Sequence, residues 1–388
     1  MGSSKKSFII VSVFIYILLS LPFLFGATLL DNHTLPIKLL IVMLLFPQAA
    51  SYHNTTKSVS VYLSIFILYF FLICIFRSSY IINAVILAVD IAFFWECVKF
   101  LNNKEIYITI KRRFIQFSII VAAFIVLSEL AYKILPGIYS YQEIDDYKSY
   151  FNPIFGLING EKERPCWFFA EPSYCGYYLG VCFFLLYGNA NFTKMQKLLI
   201  IVLFAIAIFF TASLGTYVFI FLTLLSALFT HFLKKKFFLE IVLYASILFV
   251  LIIIPQIEEL QLLQVYDNDT TSFLDRQERM NNANILMNNM SIGEVLLGYG
   301  INYSAEKYGI GLSDAYHKMY CEYGVIYLVL FLAIIRKTTV NHFTVYTFIL
   351  LSFFSVIIHD SPIMLLSYYL IYKQSSPHGR KQYRAIHG

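Results

Sequence analysis

The stretch KRRFIQFSIIVAAFIVLSELAYKIL, residues 111–135, decides the fold class of this chain. Three basic residues open it, and the apolar run Phe114–Leu135 that follows is long enough for a helix to cross a bilayer core of about 30 Å. Basic residues collect on the cytoplasmic side of membrane helices. The stretch therefore predicts a transmembrane helix that begins at the cytoplasmic face.

The whole chain shares this character. Of its 388 residues, 59% are hydrophobic, 18% are aromatic and 13% are charged, whereas a soluble domain carries about a quarter charged residues. The mean hydropathy is +0.70, and one soluble interior cannot hide that much apolar surface. A water-soluble globule is excluded, as are a disordered chain and a disulfide scaffold. The net charge of +6 needs no nucleic-acid partner, because topology explains where the basic residues lie.

Similar apolar runs recur over residues 1–388 and predict an all-α fold. We expect a single polytopic membrane domain, a helical bundle of about 12 transmembrane helices. The predicted spans are Phe8–Phe25, Ile37–Ala50, Val59–Phe76, Tyr80–Phe100, Phe114–Leu135, Trp167–Tyr187, Leu198–Thr211, Tyr217–Leu233, Phe238–Ile254, Gly324–Ile335, Phe343–Ile358 and Ile363–Tyr372. The shortest runs leave the count open by one or two.

The basic residues set the orientation of the predicted bundle. With the amino terminus inside, nearly every Lys and Arg cluster lies on the cytoplasmic side, and both termini lie there. Two long polar connections, 136–166 and 255–323, then lie on the external face. Connections of this length in a compact fold are usually functional. The pattern of Phe273–Met290 predicts a helix within the second connection.

Arg164 and Glu171 form the first candidate site, where the first external connection enters the sixth span. Pro172 suits the first position of a helix. Glu171 is therefore expected at the N-cap, where free N–H groups and the positive end of the helix dipole attract an anion. Arg164 would add a bidentate phosphate contact. In the alternative interpretation, Glu171 only caps the helix and Arg164 reaches the lipid headgroups.

Arg276 and Arg279 form the second candidate site, in the second external connection. Their spacing of three residues places both on one face of the predicted helix, and two guanidinium groups on one face suit a diphosphate. The alternative is a solvated ion-pair network with neighbouring acids such as Asp275 and Glu278.

Asp314 and His317 form the third candidate site, in the segment that leads through Glu322 and Gly324 into the tenth span. A carboxylate three residues from an imidazole fixes its tautomer and raises its basicity. His317 would then act as a general base at the outer membrane surface. The alternative is a hydrogen-bonded packing residue.

Charged residues inside the spans are costly and therefore informative. Asp90 is expected to make a structural hydrogen bond between helices, and Glu96 lies near the end of its span, where snorkelling explains it. No cluster of His, Cys and Asp has the spacing of metal ligands. No glycine-rich nucleotide motif is present either, so the sequence predicts neither a metal nor a cofactor.

The order of these motifs resembles the O-antigen polymerase family, within the wider group that includes the O-antigen ligases. The resemblance covers residues 160–335, and the first 135 residues match only in hydropathy. The motifs are an Arg before Phe-x-Glu-Pro-Ser, a Thr-Ala-Ser-Leu-Gly turn, an external Arg before Leu-Gly-Tyr-Gly, and a His that precedes Glu-x-Gly. In this sequence the first motif is Arg164 followed by residues 169–173, and the turn is residues 211–215. The external Arg is Arg276, followed by residues 297–300, and the last motif is His317–Gly324.

The resemblance implies a metal-independent glycosyltransferase of the bacterial inner membrane. It would act at the periplasmic face on glycans carried by undecaprenyl diphosphate, which serve as donor and acceptor. Its other implied partners are membrane lipid, a chain-length regulator and a flippase, without nucleic acid. The resemblance implies that Arg164 and Arg276 engage the diphosphate, and it matches Glu171 and His317 to functional residues of the family. Together with the residue patterns above, we expect Glu171, His317 and Arg276 to be catalytic and Arg164, Arg276 and Arg279 to bind the diphosphate. Asp314 and Glu322 are expected to support them.

Two positions depart from the family pattern. Ligases usually have Asn after the histidine, where this chain has Lys318, and Leu214 replaces an Arg that is common in the turn. The first departure favours a polymerase over a ligase that uses the same donor. A flippase or transporter is the other alternative, but its polar groups should lie near the bilayer midplane, whereas the candidate residues here lie on one external side.

Overall fold

The computed structural model describes the chain in separate stretches. They are residues 3–20, 30–50, 68–69, 81–134, 172–187, 192–211, 214–233, 240–247, 282–300, 303, 312, 315–339, 343–353 and 362–375. Within these stretches 92% of the structure is helical and no strand occurs. The predicted all-α fold class is confirmed for this part of the chain.

Eleven helices are complete enough to be numbered in the described stretches. They are α1 (Ser3–Leu19), α2 (Leu30–Ala50), α3 (Ile81–Phe100), α4 (Lys104–Ile134), α5 (Pro172–Tyr187), α6 (Lys194–Phe210), α7 (Leu214–Leu233), α8 (Ile292–Leu297), α9 (Ala315–Thr339), α10 (Phe343–Ser352) and α11 (Pro362–Ser375). Residues 240–247 and 282–288 are also helical.

Capping boxes define where two of these helices begin. At α6, the Thr193 side chain accepts a hydrogen bond from the backbone N–H of Gln196, and the Gln196 side chain accepts one from the backbone N–H of Thr193. Ser291 and Glu294 make the same reciprocal pair at α8. Each box satisfies two N–H groups that a helix start leaves free.

The chain divides into two compact units, and the first comprises Met1–Lys57, Ile86–Val218 and Ile358–Gly388. In this unit α4 packs against α5 and α6, and α5 also packs against α11. The Tyr178 hydroxyl of α5 donates to the Phe114 carbonyl of α4 at 2.8 Å. This bond ties two helices at the point where the predicted fifth span begins.

Several helix ends that the sequence assigns to the cytoplasmic side come together in the first unit. Lys6 near the start of α1 forms an ion pair with Glu105 at the start of α4. Lys373 near the end of α11 donates to the Asn102 side chain, just before α4, at 2.8 Å. Alternating helix directions, as in the predicted topology, would bring these ends together.

Asp90 joins three helices of the first unit. Its Oδ1 accepts a hydrogen bond of 2.6 Å from the Tyr16 hydroxyl of α1 and lies 3.6 Å from Nζ of Lys38 in α2. All three residues are buried, and the Tyr16 ring stacks on Phe93 with centroids 3.7 Å apart. The expected interhelical hydrogen bond of Asp90 is confirmed. The snorkelling expected of Glu96 is wrong, because this side chain is buried and its carboxylate accepts no hydrogen bond from any described residue.

The second unit comprises Ser58–Val85 and Phe219–Ile357. Here α9 and α10 run antiparallel, because the Ala315 amide at the start of α9 donates to the Phe353 carbonyl just after α10 at 2.9 Å. Tyr316 strengthens this end by donating to the Leu350 carbonyl at 2.7 Å. Near the far end of α9, Arg336 forms a two-nitrogen ion pair with the Glu240 carboxylate.

One helix in the described stretches is long and apolar enough to cross a membrane, by length and composition: Ala315–Arg336, within α9. Shorter apolar helices lie at Leu35–Ala50, Tyr174–Leu186, Thr216–Ser226 and Phe343–Ser352. The bundle of 12 transmembrane helices and the single-domain organisation stay predictions.

Candidate functional site

The structure describes two of the seven predicted site residues, His317 and Glu322, both in α9. The other five lie outside the described residues; they are Arg164, Glu171, Arg276, Arg279 and Asp314. Helix α5 begins at Pro172, as predicted from the preference of proline for the first position of a helix. Residues 282–288 are helical, so the helix predicted at Phe273–Met290 is confirmed over these residues and ends two residues earlier than predicted.

Helix α9 is interrupted at Gly324. This residue has φ 83° and ψ 170°, so the chain forms one short helical segment, 315–323, before the kink and a longer one after it. A continuous helix would use the carbonyls of residues 320–323 to accept hydrogen bonds from the next turn. The kink frees these carbonyls for other donors.

Two of these carbonyls accept hydrogen bonds from residues 299 and 300, and we call the contact of 296–300 with 321–324 the glycine clasp. The Tyr299 amide donates to the Cys321 carbonyl at 2.8 Å, and the Gly300 amide donates to the Glu322 carbonyl at 3.0 Å. The clasp therefore replaces intrahelical hydrogen bonds at the kink with bonds to a neighbouring backbone segment. It fixes the direction in which segment 315–323 leaves the rest of α9.

Glycine is required at two positions of the clasp. Gly298 has φ 78° and Gly324 has φ 83°, in a region that side-chain-bearing residues rarely adopt. A Cβ at Gly298 would lie 2.2 Å from the Glu322 carbonyl oxygen, and a Cβ at Gly324 would lie 2.3 Å from the Leu296 carbonyl oxygen. Two backbone segments thus approach each other as closely as glycine allows.

Tyr69 is a third partner of the clasp, and sequence reasoning missed it. Its hydroxyl lies 3.2 Å from the Leu296 carbonyl oxygen and 3.1 Å from that of Tyr323. The Tyr69 ring also lies 6.3 Å from the ring of Tyr327, which stacks on Tyr323 at 4.7 Å. More than two hundred residues separate Tyr69 from its partners, so no local pattern could have found it.

Both described candidate residues are buried. His317 is 5% exposed and Glu322 is 2% exposed. Cys321 lies one helical turn after His317 and on the same face, and it packs in a buried cluster with Ala283 and Leu286. The helical segment 282–288 therefore packs against the face of α9 that carries His317.

This arrangement gives an imidazole and a carboxylate on one short helix of fixed direction. Buried side chains with fixed neighbours need little reorganisation when they act on a bound group. The predicted pair of Asp314 and His317 stays a prediction, because Asp314 lies outside the described residues. Among the described residues, no group of three or more His, Cys, Asp and Glu side chains could hold a metal ion.

The two motif segments in direct contact, Leu297–Gly300 and His317–Gly324, are both part of the O-antigen polymerase resemblance. The contact unites them in the second unit of the chain. Comparisons with protein-family models, with curated proteins and with solved structures find no match to this chain.

Proposed function

We propose that this chain is a polysaccharide polymerase of the bacterial inner membrane. It transfers a glycan chain from undecaprenyl diphosphate onto another lipid-linked repeat unit at the periplasmic face. The glycine clasp is the observation that carries the proposal. Two motifs that the resemblance treats separately are hydrogen-bonded to each other, as expected of parts of one site.

The position of His317 in α9 supports a site at the outer surface. Eighteen residues lie between His317 and Arg336, within the stretch Ala315–Arg336 that is long and apolar enough to cross a membrane by length and composition. Arg336 ends the apolar stretch Ala315–Arg336 and belongs on the cytoplasmic side by its charge. His317 then belongs at the opposite, periplasmic side.

The proposed reaction uses groups that this chain supplies. An acceptor hydroxyl attacks the anomeric carbon of the donor, the bond from that carbon to the diphosphate oxygen breaks, and undecaprenyl diphosphate leaves. Arg164, Arg276 and Arg279 stabilise the charge that develops on the diphosphate. His317 or Glu171 accepts the hydroxyl proton. Attack opposite the leaving group inverts the anomeric carbon, so finding one configuration in both donor and product would contradict this step.

The first test is the surface polysaccharide of a bacterium that lacks this gene. Complementation with the wild-type gene should restore a ladder of chain lengths on a gel. The variants Arg164→Ala, Glu171→Ala, Arg276→Ala and His317→Ala should leave a single repeat on the acceptor. Arg113→Ala is a matched control, because it removes an arginine on the predicted cytoplasmic side and should restore the ladder. Membrane levels of every variant must be equal.

The gel, read together with the glycan extracted on the lipid carrier, separates the alternatives. A ligase defect would remove even the single repeat, while full-length glycan accumulates on the lipid carrier. A flippase defect would leave single repeats on the carrier in the inner leaflet. Unchanged ladders in all four variants would mean that the candidate residues are caps and ion pairs, and would overturn the proposal.

A further inference from the structure

The motif Thr-Ala-Ser-Leu-Gly at residues 211–215 has no role in the reaction proposed above. It connects the end of α6 to the start of α7, and hydrogen bonds brace both helix ends. Thr211 caps α6, and its hydroxyl donates to the Ile208 carbonyl at 2.7 Å. At the start of α7, the Tyr217 hydroxyl donates to the Phe209 carbonyl of α6. The two helix ends that flank the motif are therefore tied to each other.

Thr216, the residue after this motif, lies directly against α5. It is completely buried, and its side chain fills the space that a side chain at position 176 would take. A Cβ at Gly176 would lie 2.3 Å from Cγ2, 2.4 Å from Oγ1 and 2.9 Å from Cβ of Thr216. Rotation of the Thr216 side chain about χ1 would not relieve this overlap, because its Cβ does not move in that rotation. Helices α5 and α7 thus approach as closely as a glycine allows.

The contact lies close to the start of both helices. Gly176 comes four residues after Pro172, where α5 begins, and Thr216 comes two residues after Leu214, where α7 begins. At 1.5 Å of rise per residue, the contact is about 6 Å along α5 and about 3 Å along α7 from these starts. Glu171 directly precedes Pro172 in the chain. Thr216 therefore supports the end of α5 that follows this candidate catalytic residue.

We propose that Thr216 is a positioning residue for the glycan transfer. It holds the start of α5, and with it the backbone that follows Glu171, at a fixed distance from α7. The motif 211–215 then serves the same site, because it sets where α7 and Thr216 begin. This inference rests on the proposed function, since it takes Glu171 as the residue that acts on the substrate.

Gly176→Ala should displace the start of α5. Carbon atoms that are not bonded approach each other to about 3.5 Å, whereas the new Cβ would lie 2.3 Å from Cγ2 of Thr216. The two helices must therefore separate by roughly 1 Å, and a misplacement of this size can cost about 100-fold in rate. We expect kcat to fall about 100-fold. The KM for the lipid-linked substrate should change less than about threefold, because the lost interaction is made in the transition state.

Removal of the Thr216 side chain should reverse this loss. Thr216→Gly alone leaves a gap beside Gly176 and should lower kcat about tenfold. In the double variant Gly176→Ala/Thr216→Gly the new Cβ occupies that gap, so kcat should return to within about threefold of the wild type. Thr223→Gly is the matched control, because it removes another buried threonine of α7. It should not restore kcat to Gly176→Ala.

The assay uses the purified full-length protein in a nonionic detergent. Its substrate is the lipid-linked repeat unit extracted from the bacterium that lacks this gene, and kcat is expressed per folded molecule. The thermal unfolding temperature of every variant separates a change in stability from a change in positioning. In a Glu171→Ala protein, Gly176→Ala should lower kcat by less than a further threefold or so, because the side chain that it misplaces is already absent.

Three outcomes would overturn this inference and leave the proposed function intact. They are a wild-type kcat in Gly176→Ala, equal rescue by Thr223→Gly and Thr216→Gly, and an undiminished loss from Gly176→Ala in the Glu171→Ala protein. Should Gly176→Ala not fold, a wild-type kcat in Thr216→Gly would overturn it as well. A wild-type protein that does not lengthen the repeat unit would instead overturn the proposed function, and the positioning role with it.

Discussion

Replacing Gly298 or Gly324 with alanine should lower the free energy of unfolding of the second unit strongly, although the substitution adds only one methyl group. The backbone angles at these glycines cost an L-residue about 1–3 kcal/mol. The new Cβ would also lie 2.2 Å or 2.3 Å from a backbone carbonyl oxygen, so the two segments must separate. Separation weakens the hydrogen bonds from Tyr299 and Gly300, each of which contributes about 1 kcal/mol. We expect a loss of about 4 kcal/mol for either variant.

The assay is equilibrium unfolding of the purified protein in mixed detergent micelles, followed by circular dichroism. Gly293→Ala is the matched control. Gly293 lies in α8, five residues before Gly298, and it is exposed and helical. Alanine there should stabilise the protein by up to about 1 kcal/mol, because alanine favours a helix over glycine.

The two clasp glycines meet at one contact, so their effects should not add. Once one alanine has separated the two segments, the second alanine destabilises the protein less. The free energy of unfolding lost in the double variant should therefore be smaller than the sum of the two single losses by at least about 1 kcal/mol. If the free energies of unfolding of Gly298→Ala and Gly324→Ala both lie within about 1 kcal/mol of that of the Gly293→Ala control, the geometry of the clasp is wrong.

Three further predictions use the same unfolding assay. Asp90→Leu leaves Lys38 buried without its carboxylate and should cost about 3 kcal/mol, whereas adding Lys38→Met should recover most of that loss; equal stability of the single and double variants would contradict the pairing. Burial, together with the nearby charge of Lys197, lowers the pKa of Lys111 to about 8 in the folded protein, whereas its pKa is about 10.4 in an unfolded chain. The unfolded state therefore binds more protons between these values, and stability should rise with pH there by up to roughly 3 kcal/mol; a rise of the same size in Lys111→Met would refute this assignment. Thr193→Ala removes the cap of α6 and should cost about 1 kcal/mol, and no measurable loss would mean that the capping box is not formed in solution.

The all-α fold class followed from the sequence because apolar runs of helical length leave few alternatives. The start of α5 at Pro172 followed for a similar reason, since proline restricts its own backbone wherever it occurs. These predictions depend on local properties of the chain. They needed no knowledge of which helices are neighbours.

The glycine clasp shows what local reasoning leaves out. The sequence marks Gly298 and Gly324 as motif residues, but the reason for glycine lies in the segment that each one faces. Asp90 gives the same lesson: a hydrogen bond was expected, but its partners Tyr16 and Lys38 lie 74 and 52 residues away along the chain. Pairings of this kind are set by packing, and periodicity does not encode them.

The buried pair of Lys38 and Asp90 also constrains how the protein is made. Asp90 lies near the centre of its predicted span, Tyr80–Phe100, and an unpaired charge at that depth costs about 3 kcal/mol when the helix leaves the translocon for lipid. Asp90 is synthesised 52 residues after Lys38, a delay of roughly 3–10 seconds at usual rates of translation. In the proposed membrane setting, α3 is inserted at a lower cost if α2 is still beside the translocon when Asp90 arrives, because Lys38 can then pair with it. The predicted spans up to α3 would then enter the bilayer as one group, with the charges of Lys38 and Asp90 already paired.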